Sequence, residues 1–438
     1  AGGFGSSRLR GGMLSSLRVR NYRLFAGGQL ISLTGTWMQR VAQDWLVLQL
    51  TNSGAALGVV TALQFLPSIL LGLWGGVLAD RMDKRRLLLV TQTGLAGAAL
   101  LLGVLDLTGV VAYWHVLVLA FAVGAIGAVD TPARQSFAVE MVGSDDLANA
   151  VGINSTIFNA GRILGPAAAG LLITGVGTGW AFVVNAASSV AVLAGLAAMR
   201  TGELHPSPAL ARAPGQMRAA LAYVRGRLDL MLAMALVFVV GTFGMNFQIT
   251  TAILAKQVFD RGADGYGLLS TALAVGACIG AVIATRRTRR PSALFLVAAA
   301  VAFGLIEVVC GMMPTFGLTA VLLVPAGLAM LTVTTAANSS VQMGTDPVLR
   351  GRVMALYLMC FMGGTPVGAP VIGWVSGVLG PRWGMIGGGA LTVVFAVLIG
   401  LALARRRDMH VADVVGRLEH GLSELRPRSA FWPRALGP

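Results

Sequence analysis

Gly75-Gly76-Val77-Leu78-Ala79-Asp80-Arg81-Met82-Asp83-Lys84-Arg85-Arg86 separates two apolar runs, residues 55–74 before it and a run that begins at Leu87 after it. Each run is long enough to read as a membrane helix, which needs ~20 mostly apolar residues. The pattern predicts that one helix ends among the glycines, a short basic loop follows, and a second helix starts. Gly76 lets the helix end approach a neighbour closely, because it has no side chain to hold it away. Asp80 is placed to meet a helix N-terminus or an arginine, and the basic cluster suits the cytoplasmic face of a bilayer. The stretch reads as an inner loop between two spans.

Composition agrees along the whole chain. Of 438 residues, 56% are hydrophobic and 12% charged, against about 25% charged in a soluble protein. The net charge of +15 would suggest a nucleic-acid partner if it were clustered on a soluble domain. Here the basic residues fall between apolar runs, so the inner leaflet accounts for them and no nucleic-acid partner is expected. Twelve runs follow one another: 24–50, 55–74, 87–107, 114–131, 147–174, 180–199, 230–256, 266–285, 292–312, 316–340, 351–379 and 383–404. The expected organisation is a cytoplasmic tail (1–23), a six-helix bundle (24–199), a cytoplasmic linker (200–229), a second six-helix bundle (230–404) and a basic tail (405–438). Within the linker, residues 216–228 set Met217, Leu221, Val224 and Leu228 against Arg218, Arg225 and Arg227, the spacing of an interfacial helix.

Orientation follows from charge. The tails and the loops after the even-numbered helices hold 28 of the 33 basic residues. The opposite loops hold Lys256, Arg261 and Arg382, and only Arg40 and Arg162 lie within spans. By the positive-inside rule both termini are cytoplasmic. Residues 13–23 are basic, but the apolar run behind them is too long for a signal peptide. Met141, the acidic segment Ser144-Asp145-Asp146, Leu147 and Val151 recur at an offset of 202 as Met343, Asp346-Pro347, Leu349 and Val353, a weak sign of two parallel halves.

Charges inside spans are costly and therefore functional candidates. Arg40 and Asp44 lie one turn apart with Gln39 and Gln43 beside them. They read either as a local ion pair or as a proton-exchanging Asp44 tuned by Arg40, and the second reading is favoured. Glu307 is isolated among apolar residues and is a second proton candidate. Asn246 and Gln248 are polar groups that hydrocarbon would penalise, so they either face a water-filled path or bond between helices. Cys278, Cys310 and Cys360 have no metal-ligand spacing. No P-loop, clustered histidines or nucleophile motif occurs. A non-enzymatic carrier driven by a proton gradient, without cofactor or metal, is expected.

Gly76, Leu78, Asp80, Arg81, Lys84, Arg85 and Leu88 resemble the signature between helices 2 and 3 of major facilitator superfamily transporters, with Asp83 where that family usually has glycine. The resemblance implies an all-α polytopic membrane protein of twelve helices in two six-helix bundles. It implies that Asp130, at the inner end of helix 4, joins Lys84 or Arg85 in a charge relay that latches one state. It makes helix 9 peripheral, so a lipid-facing, snorkelling Glu307 becomes the simpler reading. It draws the substrate cavity from helices 1, 4, 7 and 10, with Gln39, Gln43, Met245, Asn246, Gln248, Thr334, Asn338 and Gln342.

The run Ala160-Gly161-Arg162-Ile163-Leu164-Gly165-Pro166-Ala167-Ala168-Ala169-Gly170 resembles the helix 5 signature of antiporter members, with Ala169 replacing a glycine. Gly161, Gly165, Pro166 and Gly170 then form a hinge. Arg162 is a relay or substrate charge, or a partner for a carboxylate on helix 1 or 4. Asn21-Tyr22-Arg23-Leu24-Phe25, Asp130-Thr131-Pro132-Ala133-Arg134-Gln135 and Leu147-Ala148-Asn149-Ala150-Val151 look like the branch of enterobactin exporters and macrolide-efflux proteins. The expectation is a monomeric proton antiporter of a bacterial inner membrane that exports an amphipathic small molecule. A uniporter or importer, a lipid translocator and a non-transporting sensor are the alternatives.

Overall fold

The computed structural model describes residues 15–143, 146–205, 216–287 and 289–406. Most of both tails, the middle of the linker, Ser144, Asp145 and Thr288, and the side chains of Leu73, Asp80, Gln216, Met217, Leu403, Arg405 and Arg406 lie outside the described residues. The helices are α1 (Arg20–Thr51), α2 (Gly54–Arg81), α3 (Lys84–Leu107), α4 (Tyr113–Val142), α5 (Leu147–Val176), α6 (Thr178–Ala197), α7 (Gln216–Arg225), α8 (Leu228–Val239), α9 (Phe247–Ile253), α10 (Ala263–Thr285), α11 (Ala293–Met312), α12 (Phe316–Gly344), α13 (Arg350–Val378) and α14 (Trp383–Arg406). Eleven segments of the described chain are long and apolar enough to cross a membrane. The twelfth span is α1, with 32 residues; Gln29, Gln39, Arg40, Gln43 and Asp44 make it too polar for that test.

The span starting at Leu228 is not one helix. A π-helical turn (Val240–Gly244) follows α8, Met245 and Asn246 leave helical geometry, and a second π turn (Leu254–Val258) follows α9. Helix α13 selects this shape. A Cβ on Gly364 would lie 2.7 Å from the Thr242 amide nitrogen, and one on Gly368 would overlap the Thr242 carbonyl. The Gly-Pro run of α13 is thus a close-packing surface for the π turn.

Two further boundaries differ from expectation. Helix α2 runs through Gly76 to Arg81, and the turn shrinks to Met82 and Asp83. Gly75 makes the close approach, since a Cβ there would overlap the Ala128 carbonyl of α4. Asp83 caps α3, its carboxylate accepting from the Arg86 amide at 2.8 Å, which explains why the turn needs no glycine. Helix α4 continues past Thr131 and through Pro132 to Val142. In the linker, Ala220 and Val224 of α7 are buried, whereas Leu221 is 38% exposed.

Helices α1–α6 and α8–α14 form two halves with matching contacts. In the first, α2 packs on α4 and α3 on α6; in the second, α10 packs on α12 and α11 on α14. The halves meet through α2 with α13 and α5 with α10. Glycines bring these pairs together at the end away from the termini. Gly58 faces the Ala369 carbonyl, Gly373 the Gly54 carbonyl, and Gly267 the Pro166 carbonyl.

Candidate functional site

A cavity of about 210 Å³ lies between the halves, lined by residues of α1, α5, α9, α10 and α12 and by Met245 at the break. Asp44 sits at its wall and is 5% exposed. Its carboxylate accepts a hydrogen bond from the Tyr266 hydroxyl at 2.7 Å, across the interface of the two halves. Tyr266 in turn stacks on Trp45, with ring centroids 6.4 Å apart.

The local ion pair between Arg40 and Asp44 is not formed. Arg40 instead lies over the Trp37 ring, 4.7 Å from its centroid, and Arg162 approaches the same ring at 5.9 Å. Among the described residues neither guanidinium has a hydrogen-bond or ion-pair partner. Arg162 therefore meets no carboxylate of α1 or α4. The wall offers two cations against one aromatic ring, a contact worth ~0.5–2 kcal/mol each, and a carboxylate held by a phenol.

Met245 and Gln248 also line this space, and the Gln248 amide donates to the Thr61 hydroxyl at 3.2 Å. The other expected cavity residues do not line it. Gln39 accepts from Asn185 of α6, and Gln43 is buried at 3% exposure. Asn246 turns its amide back to the Thr242 carbonyl at 2.8 Å. Asn338, Gln342 and Thr334 lie nearer the basic end of α12; the Thr334 hydroxyl bonds back to the Met330 carbonyl at 3.1 Å. Tyr266, Trp37 and Met330 line the space and had no signal beyond the apolar runs that carry them.

The hinge residues serve two contacts. Gly161 and Gly165 pack on the α1 backbone, where a Cβ on Gly161 would stand 3.2 Å from Thr34. Pro166 and Gly170 meet α10 of the other half, with Asp264 3.0 Å from the Gly170 position. Helix α5 stays helical through Pro166.

The charge relay is rearranged. Lys84 pairs with Glu140 at 2.5 Å, buried, and Arg85 donates to the Leu196 and Ala197 carbonyls at 2.6 and 3.1 Å. Asp130 pairs instead with Arg134, which also bonds Gln29, and accepts from Thr91 and Gln92 at 2.7 and 2.8 Å. The reason is length. Since α4 continues to Val142, Asp130 lies ten residues deeper than Glu140, ~15 Å along the helix at 1.5 Å per residue. Arg81 is exposed at the end of α2. Glu307 is 1% exposed and faces α14 and the π turn, so it is not a lipid-facing carboxylate.

The hydrogen bonds that described residues make between the halves cluster away from the termini. Lys256 donates to the Leu48 carbonyl at 2.5 Å and Gln257 to the Asn52 carbonyl at 3.1 Å. Cys278 meets Asn159 at 3.5 Å, near mid-depth. The cavity is closed on the side away from the termini.

Comparison with known proteins gives a consistent picture. The model of the transmembrane secretion effector family matches residues 11–423. The enterobactin exporter EntS of Escherichia coli O1:K1 is 25% identical over 400 residues, 86% of this chain and 91% of its own. The multidrug efflux pump Tap of Mycobacterium bovis is 26% identical, covering 87% of this chain and 93% of its own. The staphyloferrin A transporter of Staphylococcus aureus is 24% identical over 263 residues, 60% of this chain and 66% of its own, just under two thirds of that relative. Among solved structures, a bacterial homologue of the human lysosomal transporter Spinster, in an inward-facing unoccupied conformation, superposes with a TM-score of 0.67. It is 16% identical and covers 90% of this chain and 96% of its own.

Proposed function

The chain belongs to the transmembrane secretion effector family of major facilitator transporters, and from that premise we propose that it exports an amphipathic small molecule in exchange for protons. The basic end faces the cytoplasm of a bacterial inner membrane, where the density of Arg and Lys favours it. The conformation is then open inward. The observation that carries the reading is the Tyr266–Asp44 bond, because a protonatable group inside the cavity also ties the two halves together.

The coupling follows from hydrogen-bond strength. An ionised carboxylate accepts a charge-assisted bond roughly twice as strong as a neutral one. Ionised Asp44 therefore holds the outer side shut and keeps the cavity open to the cytoplasm. Substrate enters against Trp37, Arg40 and Arg162, which offer an aromatic face and eleven N–H donors at most. Rocking of the halves breaks the bond, exposes Asp44 outward, and lets it take a proton as substrate leaves. The return delivers that proton inward. No nucleotide or cofactor enters this cycle, and a single chain suffices for it. That relatives are named for export of enterobactin and of multiple drugs supports outward transport.

The test is a pH-sensitive dye trapped in proteoliposomes, with lipophilic antibiotics and siderophore-like compounds added to wild type and to Asp44→Asn. Substrate-dependent proton movement should appear in wild type and vanish in the variant. Movement that survives Asp44→Asn sinks the assignment of Asp44. Substrate flux without any proton movement would instead make the protein a uniporter.

A further inference from the structure

Two buried side-chain polar atoms of the described residues have no hydrogen-bond partner, Asn246 Oδ1 and Glu307 Oε2. Asn246 lies at the break of the seventh span, and Glu307 of α11 faces the end of the π turn just before it. Glu307 is 1% exposed and Asn246 2%. A Cβ on Gly244, two residues before Asn246, would stand 3.2 Å from Glu307 Oε2 and 3.0 Å from the Thr392 hydroxyl. A Cβ on Gly388 of α14 would stand 2.5 Å from the Phe243 carbonyl and 3.3 Å from Glu307 Oε1. Carboxylate, carbonyl and hydroxyl oxygens thus converge around two glycines whose missing side chains leave the room. The Thr392 proton is already committed to the Gly388 carbonyl at 2.8 Å, so the hydroxyl presents a lone pair.

The Asn246 amide is committed to the Thr242 carbonyl at 2.8 Å and, more weakly, to the Phe243 carbonyl at 3.3 Å, so its Oδ1 is the atom left over. Helix α11 carries Glu307 as its one charged residue and Cys310, one turn on, as its other titratable group. Helix α12 carries no charge. Asp229 and Lys256 sit at the two ends of the seventh span and Arg350 and Arg352 in the first turn of α13. Arg382, ahead of α14, is spent on the Gly311 and Met313 carbonyls at the end of α11. Among the described residues none bonds Glu307 Oε2. An uncompensated buried carboxylate is among the costliest groups a protein can hold.

We propose that Glu307 and Asn246, with the Phe243 carbonyl at the break, form a binding site for a small monovalent cation, a proton or a sodium ion, separate from Asp44. A set of oxygen ligands is the chemistry that hard cations select. Met245, between Gly244 and Asn246, lines the substrate cavity, so occupation fixes the bend of the seventh span next to the substrate. The inference stands on the second half alone and does not require Asp44 to carry protons.

The experiment uses the purified full-length protein in detergent. Sodium chloride is titrated against choline chloride at fixed pH, then pH is titrated without sodium. The thermal unfolding midpoint and the infrared carboxylic-acid band are read for wild type, Glu307→Gln, Asn246→Ala and Asp44→Asn. A sodium site raises the midpoint by mass action. That rise is absent in Glu307→Gln and needs about tenfold more sodium in Asn246→Ala, the usual effect of losing one supporting ligand. A proton site shows a carboxylic-acid band that titrates and is missing in Glu307→Gln, with sodium inert. Glu307→Gln is nearly isosteric, and its folding is checked by the same melt. A response that Glu307→Gln retains, or no response to either cation, overturns the proposal. A response lost only in Asp44→Asn overturns it too, while leaving the cavity carboxylate as the proton site.

Discussion

The Tyr266 hydroxyl belongs to the second half and the Asp44 carboxylate to the first, so one hydrogen bond reports on the relation between them. A bond to a charged group contributes about 1.5–3 kcal/mol, enough to shift the balance of two conformations tenfold or more. Tyr266→Phe keeps the ring and its stacking on Trp45 and removes only that bond. Its expected effect is a population with the outer side open. Thr61 is 1% exposed beneath the outer contact and accepts from Gln248, so Thr61→Cys serves as reporter. Labelling by a membrane-impermeant maleimide from outside should rise about tenfold in the Tyr266→Phe background. Unchanged labelling would mean the bond does not hold the outer side. At this scale the sequence announced Asp44, Arg40 and Arg162, because charges in apolar runs are rare. It did not announce Tyr266, since a tyrosine at the start of a span also reads as an interfacial anchor.

Helix α4 shows why spacing alone misplaced a charge relay. A proline suggests a helix end, yet inside a membrane bundle neighbouring groups satisfy the freed carbonyl and the helix continues. That continuation sets Glu140, not Asp130, opposite Lys84. Both side chains are about one-tenth exposed, so the pair is expected to behave as a buried one. Breaking it from one side leaves a buried charge and costs about 3–5 kcal/mol. Glu140→Gln should therefore lower thermal stability in detergent clearly more than the double variant Lys84→Met/Glu140→Gln, in which the lysine charge is removed with its partner. Equal losses in single and double variants would refute the pairing. The breaking of the seventh span was illegible for a related reason. Gly241, Gly244 and Asn246 permit a π turn, but α13 imposes it through Gly364 and Gly368 from far along the chain. Local propensity fixes where a helix is able to yield, and tertiary contact decides whether it does.

At the scale of the molecule, the twelve spans and their two-fold arrangement follow from length, apolarity and the distribution of arginine. Which side is closed does not, because it depends on a few contacts between halves that are 600–1,500 Å² interfaces at most in comparable domain pairs. Gly58 against the Ala369 carbonyl is one such contact, and no side chain fits between the two helices there. Gly58→Leu leaves α2 helical and lipid-compatible but wedges α2 away from α13 on the outer side. The halves must then separate outside and approach inside. Spin labels on the exposed outer-loop residues Asn52 and Asp260 should move apart in pulsed resonance measurements. Labels on Met82 and Val348, exposed at the basic end by 44% and 79%, should move closer. Opposite changes at the two ends require rigid halves that rock about the cavity. Separation outside with no approach inside would mean that the wedge deforms α2 locally, and that closure at one end is not linked to opening at the other.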